Sequence, residues 1–240
     1  MNCFKLPLGL CDEIEGLIRR FWWGQRGERR KIHWVRWGEL CKPKGKGGMG
    51  FKDLALYNDA LSAKQAWRLL QNKNSLFYRV FKSKFFPHCS LMEAADTQDG
   101  SYAWKSILIG REVLEEGMRW RVRDETSIRV WSDPWLPSNF LPYISTPNTQ
   151  GMENMLVASS IDTGSNSWHS EVLRNLFLPR DVQLIESIPL SSIPTEDKLI
   201  WPFTSIGTYS VKLRYYFLNK TNSFNNNEYH PESNKLWNKV

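Results

Sequence analysis

This sequence predicts a mainly α fold with small β elements (α+β), and three observations carry that prediction. Apolar residues recur at three- and four-residue steps through much of the first 117 positions. Period-two alternation is confined to short stretches, and regular patterning thins out beyond residue 137. The expected layout is a helical N-terminal region over 1–137, a linker over 138–165 and an α/β module over 166–240.

The first helix is expected from Cys11 to Trp23. Ile14, Leu17, Ile18, Phe21 and Trp22 form its apolar stripe, Asp12 and Glu13 suit its first turn, and Arg19 and Arg20 lie on its polar flank. A charged connector follows over Gln25–Lys31, and His33–Trp37 alternates like a short extended piece. The segment Lys42–Gly50 reads as a loop, because three lysines share it with Pro43 and four glycines. Asp53 opens the clearest helix, Leu54 to Leu70, with Leu61, Ala66, Trp67 and Leu69 among its inward residues. Another spans Ser75–Phe85, with Leu76, Phe77, Val80 and Phe81 expected inward, and Pro87 stops it. Gly110 is expected to separate two short helices, Ser101–Ile109 and Arg111–Gly117.

Two runs, Arg119–Arg123 and Ser127–Trp131, flank Asp124 and Glu125 and predict a β-hairpin near 119–131. Helical signals return at Glu171–Phe177 and Arg180–Ser187, each bounded by proline. Asp197–Phe203 reads as a strand, Gly207–Tyr209 as a turn into a second strand, and Val211–Leu218 as a helix. The asparagine-rich stretch 219–234 is expected to lack regular structure.

Charge separates the two ends. The chain carries a net +7, yet residues 17–84 hold 17 Lys and Arg against four acids, a net +13. Residues 131–240 hold 8 against 10, a net −2. Such asymmetry points to a polyanion partner for the basic half. No run of about 18 apolar residues exists to span a bilayer, so a membrane is not expected as the partner. The opening residues, with acids directly after a short apolar stretch, lack the layout of a secretory signal. Cys3, Cys11, Cys41 and Cys89 form no Cys-x-x-Cys pair, which predicts a reducing, intracellular location: nucleus or cytoplasm, with an organelle also allowed.

The stretch Phe21–Leu54 concentrates the chemistry. It interleaves Trp22, Trp23, Trp34 and Trp37 with Arg26, Arg29, Arg30, Lys31, Lys42, Lys44 and Lys46. Basic side chains meet phosphates, and tryptophan faces either stack on bases or fill a core. Trp34 and Trp37 are open to both readings. The glycines of KPKGKGGMG would let backbone amides approach a phosphate, and a plain flexible connector explains them equally well.

Catalytic and metal motifs are missing. There is no phosphate-binding P-loop, no Gly-x-Ser-x-Gly elbow and no His-Glu-x-x-His helix. His33, His88, His169 and His230 stand far apart, and the adjacent His88 and Cys89 have no second pair to complete a metal site. Paired acids such as Glu115 and Glu116 fall where a helix or turn surface would be solvated, so no acid–base role is assigned. Neither a cofactor nor a small-molecule substrate is implied.

Five motifs, in order, carry a resemblance: FWWG, KIHWVRWGELCKPKGKGGMGFKDL, ALSAKQAWRLL, RWRVRDETSIRVWSDPWLP and DKLIWPFTSIGTYSVK. Together they resemble the C-terminal part of plant LINE-type (non-LTR) retrotransposon reverse transcriptases, from about residue 10 to the end. The resemblance implies a thumb-like and connection region followed by the start of a reverse transcriptase zinc-binding domain. It also implies what is absent. The family's polymerase centre uses a Tyr-x-Asp-Asp turn to hold Mg²⁺, whereas the nearest string here is Tyr57-Asn58-Asp59-Ala60, inside a predicted helix. The family's zinc ligands lie beyond a Leu-Trp helix that Leu236 and Trp237 match only at its start. Arg123-Asp124-Glu125 replaces a Gly-Asp-Gly-like turn of the family.

Two functions are expected to compete. One is a non-catalytic fragment that binds RNA or DNA backbone non-specifically through Arg19, Arg20, Arg26, Arg29, Arg30, Lys31, Lys42, Lys44 and Lys46. The other is a retroelement relic with no biochemical activity, or a protein-interaction module.

Overall fold

The computed structural model describes residues 4–24, 32–96, 100–123, 128–138, 141–148, 151–162, 164–190 and 197–227. In chain order the helices and strands are α1 (Leu8–Trp22), α2 (Trp37–Cys41), α3 (Leu54–Gln71), α4 (Leu76–Phe85), α5 (Tyr102–Glu115), β1 (Arg119–Arg121), β2 (Ile161–Asp162), β3 (Ser167–Trp168), α6 (Ser170–Leu176), α7 (Pro179–Glu186), β4 (Lys198–Ile200) and α8 (Val211–Asn227). Short 3₁₀ turns occupy Lys44–Lys46 and Val157–Ser160. The fold is mainly α with small β elements, as the periodicity predicts. The chain forms two compact units, one of residues 1–114 with 210–240 and the other of residues 115–209.

In the first unit α3 is the central helix, with α1, α4 and α8 packed on it. Asp53 caps it by accepting the Leu56 amide at 2.9 Å. Ala60, Leu61, Ala63, Ala66, Trp67 and Leu69 are all buried, in line with the predicted stripe. Ser75 caps α4 in the same way, taking the Tyr78 amide at 3.1 Å. α5 runs unbroken through Gly110, which corrects the expected division into two helices. The glycine serves packing: a Cβ there would stand 2.4 Å from the Ser62 carbonyl oxygen of α3. Trp104 of α5 is fully buried and stacks on Phe85 at 4.8 Å.

Two apolar faces differ from expectation. α1 begins at Leu8, so Asp12 and Glu13 fall past its first turn, and the residues it buries are Cys11 and Glu15. Leu17 and Phe21 of the predicted stripe are exposed, Phe21 by 85%. On α4, Leu76 and Val80 are exposed, while Phe77 and Phe81 are half-buried. Periodicity establishes that a face is apolar; which face meets the core depends on neighbours distant in sequence.

In the second unit the two arms of the predicted hairpin near 119–131 do not pair with each other among the described residues. β1 pairs instead with β4, antiparallel, in the register Arg119 with Ile200 and Arg121 with Lys198. The second arm bridges elsewhere, Arg129 with Leu156. Asp124 and Glu125, the expected turn, lie outside the described residues. β2 and β3 make a second antiparallel pair.

The expected linker 138–165 is largely built into this unit. Ile144, Val157 and Ile161 join Val130, Trp135, Leu136, Leu173 and Ile185 in its core. Asp181 at the start of α7 ties the segment down, accepting from the Ser145 and Thr146 amides at 2.9 and 2.8 Å. Polar composition concealed these contacts, because the fixing groups are backbone amides. The strand expected after Gly207 is absent among the described residues: Gly207 (φ 72°) turns the chain back, and its carbonyl accepts from the Trp201 amide. α8 in turn continues to Asn227, through part of the stretch expected to be irregular.

Candidate nucleic-acid interface

The basic region is organised by aromatic packing in the first unit. Phe51 meets Trp22 edge-on at 5.1 Å and Trp37 at 5.1 Å, joining the end of α1 to α2 and the loop after it. The Arg19 guanidinium lies 5.9 Å from the Trp37 ring centroid, within cation–π range. Trp23 stacks on His33 at 6.0 Å. Three of the four tryptophans of this stretch therefore pack on other rings. Trp34 is different: it is 78% exposed.

The glycine-rich loop has a definite shape. The amides of Lys46 and Gly48 donate to the Pro43 carbonyl at 2.8 and 3.2 Å, and that of Gly47 to Lys44. Met49 donates to Leu40 and Gly50 to Lys42. Gly47 and Gly50 take positive φ, and a Cβ on Gly48 would stand 2.0 Å from the Lys42 carbonyl oxygen. The glycines thus serve the chain's own turns, and these amides are occupied within the loop. Phosphate contact by a cradle of them is not what this loop offers. Its side chains are what remain.

Those side chains are not equivalent. Lys42 pairs with Glu39 at 2.7 Å, which offsets part of its charge. Lys44 and Lys46 are exposed and form no ion pair among the described residues. Arg20 is exposed on α1, its Nε donating to the Gly16 carbonyl at 3.4 Å, and Arg19 is half-buried beside Trp37. Arg26, Arg29, Arg30 and Lys31 lie outside the described residues. The structure thus brings Arg19 to the aromatic cluster that anchors the lysine loop. It also adds Arg36, exposed at the N-terminal edge of α2. Sequence reading passed over Arg36 because it sits inside the alternating HWVRW motif.

The two cysteines of this region are buried. Burial pushes the Cys41 thiol up to about 12 and raises that of Cys11. Asn58, in the string compared with a polymerase turn, is buried in α3 and holds the Leu6 amide at 2.7 Å. Asp59 is paired with Lys5. Among the described residues no three His, Cys, Asp or Glu side chains converge in a way that could hold a metal ion. No helix among them is long and apolar enough to cross a membrane.

No family model and no solved structure matches this chain. The uncharacterized mitochondrial protein AtMg00310 of Arabidopsis thaliana is 42% identical over 137 residues, 57% of this chain and 89% of that protein. The chain belongs to the family of that protein. A second Arabidopsis protein, named "Putative ribonuclease H protein At1g65750", is 30% identical over 227 residues, 91% of this chain. The match spans 36% of that longer protein.

Proposed function

We propose that the chain is a non-catalytic, nucleic-acid-binding part of a protein derived from a plant LINE-type retrotransposon reverse transcriptase. It would correspond to the thumb-like and connection region running into the start of the zinc-binding domain. The observation that carries the binding reading is the pair Lys44 and Lys46, exposed without carboxylate partners among the described residues, on a loop braced by Trp22, Phe51 and Trp37. Arg20 and Arg36 add exposed charge on the neighbouring helices. Similarity to a relative whose name refers to ribonuclease H supports a nucleic-acid context. Asp59 sits within α3 rather than on a turn, which supports a part without polymerase chemistry.

The contacts are to phosphates and do not read sequence, so affinity for RNA or DNA falls steeply with salt. The reading places the protein inside the cell, in nucleus, cytoplasm or an organelle, and the mitochondrial name of one relative favours testing the organelle first. Fluorescence anisotropy with labelled single-stranded RNA and DNA across a salt series tests it. Tight binding at low salt that weakens log-linearly is expected; no binding at low salt would overturn it.

A protein-interaction module is the second reading, and the exposed apolar residues Leu10, Leu17 and Phe21 of α1 favour it. Phe21→Glu would then abolish partner capture and leave nucleic-acid affinity unchanged.

A further inference from the structure

The apolar residues of α1 are spaced as a seam. Leu10, Ile14, Leu17 and Phe21 follow one another at steps of four, three and four, the heptad pattern of helices that pair side by side. At 3.6 residues per turn they fall within an arc of about 60°. Leu10, Leu17 and Phe21 are exposed, and Ile14 is half-buried. Cys11 and Glu15, the residues that α1 buries, lie roughly a third of a turn away around the axis. The helix therefore meets its own unit along one line and presents the seam along another.

Glu13 and Arg20 stand on the flank of the seam turned away from the buried line. Both are exposed, and neither forms an ion pair among the described residues. Seven positions apart, they occupy the same place in successive heptads. Let two copies of α1 lie antiparallel about a two-fold axis. Leu10 then meets Phe21 of the second copy, and Ile14 meets its Leu17. Glu13, between Leu10 and Ile14, falls beside Arg20 of the second copy, between its Leu17 and Phe21. The axis repeats that pair on the other side of the centre. A parallel alignment would set the Glu13 flank against the flank of Cys11 and Ile18, which carries no charge. The stripe is thus complementary in charge to itself, in one orientation. A lipid surface suits it less, because membrane-surface helices have basic polar faces and α1 carries Asp12 and Glu13 in its first half.

We propose that two copies of this chain pair through antiparallel α1 helices, with Leu10, Ile14, Leu17 and Phe21 in the seam and Glu13 of each copy on Arg20 of the other. The proposal deepens the interaction-module reading of α1 and rests on it. A helix of 15 residues makes a small interface, so the dimer is weak, dissociating in the micromolar range. Nucleic acid and the second copy compete for Arg20, whereas Lys44 and Lys46 lie outside α1.

The test is sedimentation equilibrium of the full chain, freed of nucleic acid, from low to high micromolar concentration. A monomer–dimer equilibrium is expected. Phe21→Glu sets a charge in the seam and should weaken it at least about tenfold. Glu13→Arg and Arg20→Glu should each weaken it about tenfold, since each alone turns both attractive pairs into repulsive ones. Mixed in equal amounts, these two variants should dimerise about as well as the wild type, because each supplies the charges that the other lacks. All three substitutions fall on exposed positions, and circular dichroism checks that the fold is kept. A chain that stays monomeric overturns the second copy as the partner. The interaction-module reading then stands or falls separately, on whether Phe21→Glu changes capture of a different protein. Self-association undiminished by Phe21→Glu, or a mixture no stronger than either charge variant alone, overturns the antiparallel seam.

Discussion

Glu15, in the middle of α1, accepts the backbone amide of Leu54 at 2.8 Å and so satisfies the first turn of α3 from another helix. The amides at a helix start have no partner within the helix, and here one is supplied across 39 positions of sequence. Asp53 takes the Leu56 amide of the same turn, while its own amide donates to the Tyr215 hydroxyl of α8 at 3.1 Å. Three helices of the first unit thus meet at one polar joint.

That joint has a pH signature. Burial raises the Glu15 carboxyl above its ordinary value, with the Leu54 amide pulling the other way. The folded chain therefore keeps this proton to higher pH than the unfolded chain does. Its contribution is fully present below the ordinary carboxylate pKa and is lost as pH rises through the folded value. Glu15→Gln, which retains an acceptor for the Leu54 amide, is expected to remove that dependence and to stabilise the protein at pH 7. Glu15→Ala leaves the amide unpaired and is expected to cost about 1–3 kcal/mol. Urea unfolding at pH 4 and pH 7 separates the two effects.

The lysine loop predicts an unequal response to charge removal. Lys44→Gln and Lys46→Gln should each lower the slope of log affinity against log salt by about 0.7 on a single strand. Lys42→Gln should do less, because Glu39 already holds that ammonium. Equal slopes for all three variants and the wild type would show that the loop does not touch phosphate.

Gly110 reports on the crossing of α3 and α5. With a Cβ placed 2.4 Å from the Ser62 carbonyl, Gly110→Ala forces a backbone shift rather than a rotamer change. A loss of about 2–4 kcal/mol is expected despite the better helix propensity of alanine. A variant as stable as the parent would mean that the two helices do not cross so closely.

Asp181 plays the matching part in the second unit. Its fully buried carboxylate accepts the Ser145 and Thr146 amides and the Thr146 hydroxyl through one oxygen. Asp181→Ala strands these donors and is expected to cost about 2–4 kcal/mol. Hydrogen exchange should rise at residues 144–146 before it rises in α3.

Trp34 and Trp37 are adjacent in motif and opposite in role. Trp34→Ala should change stability by no more than about 0.5 kcal/mol, whereas Trp37→Ala removes the contact with Phe51 and should cost about 1–3 kcal/mol. Thermal melts of the two variants give the comparison.

Local signals carried much of this protein. The helix class, the capped starts at Asp53 and Ser75, the turn chemistry at Gly207 and the concentration of positive charge before residue 85 all follow from neighbours within a few positions. What long-range packing decided is of another kind. It turned Glu15 inward and Phe21 outward on α1, paired β1 with β4 instead of with its neighbour, and drew Ile144 and Val157 of a polar stretch into a core. It also paired Lys42 of the glycine-rich loop with Glu39, left Lys44 and Lys46 without an ion pair among the described residues, and set Lys198 opposite Arg121. Period and propensity act over one or two turns of chain, whereas partner choice rests on contacts closed across tens of residues, and a single chain's spacing does not encode those directly.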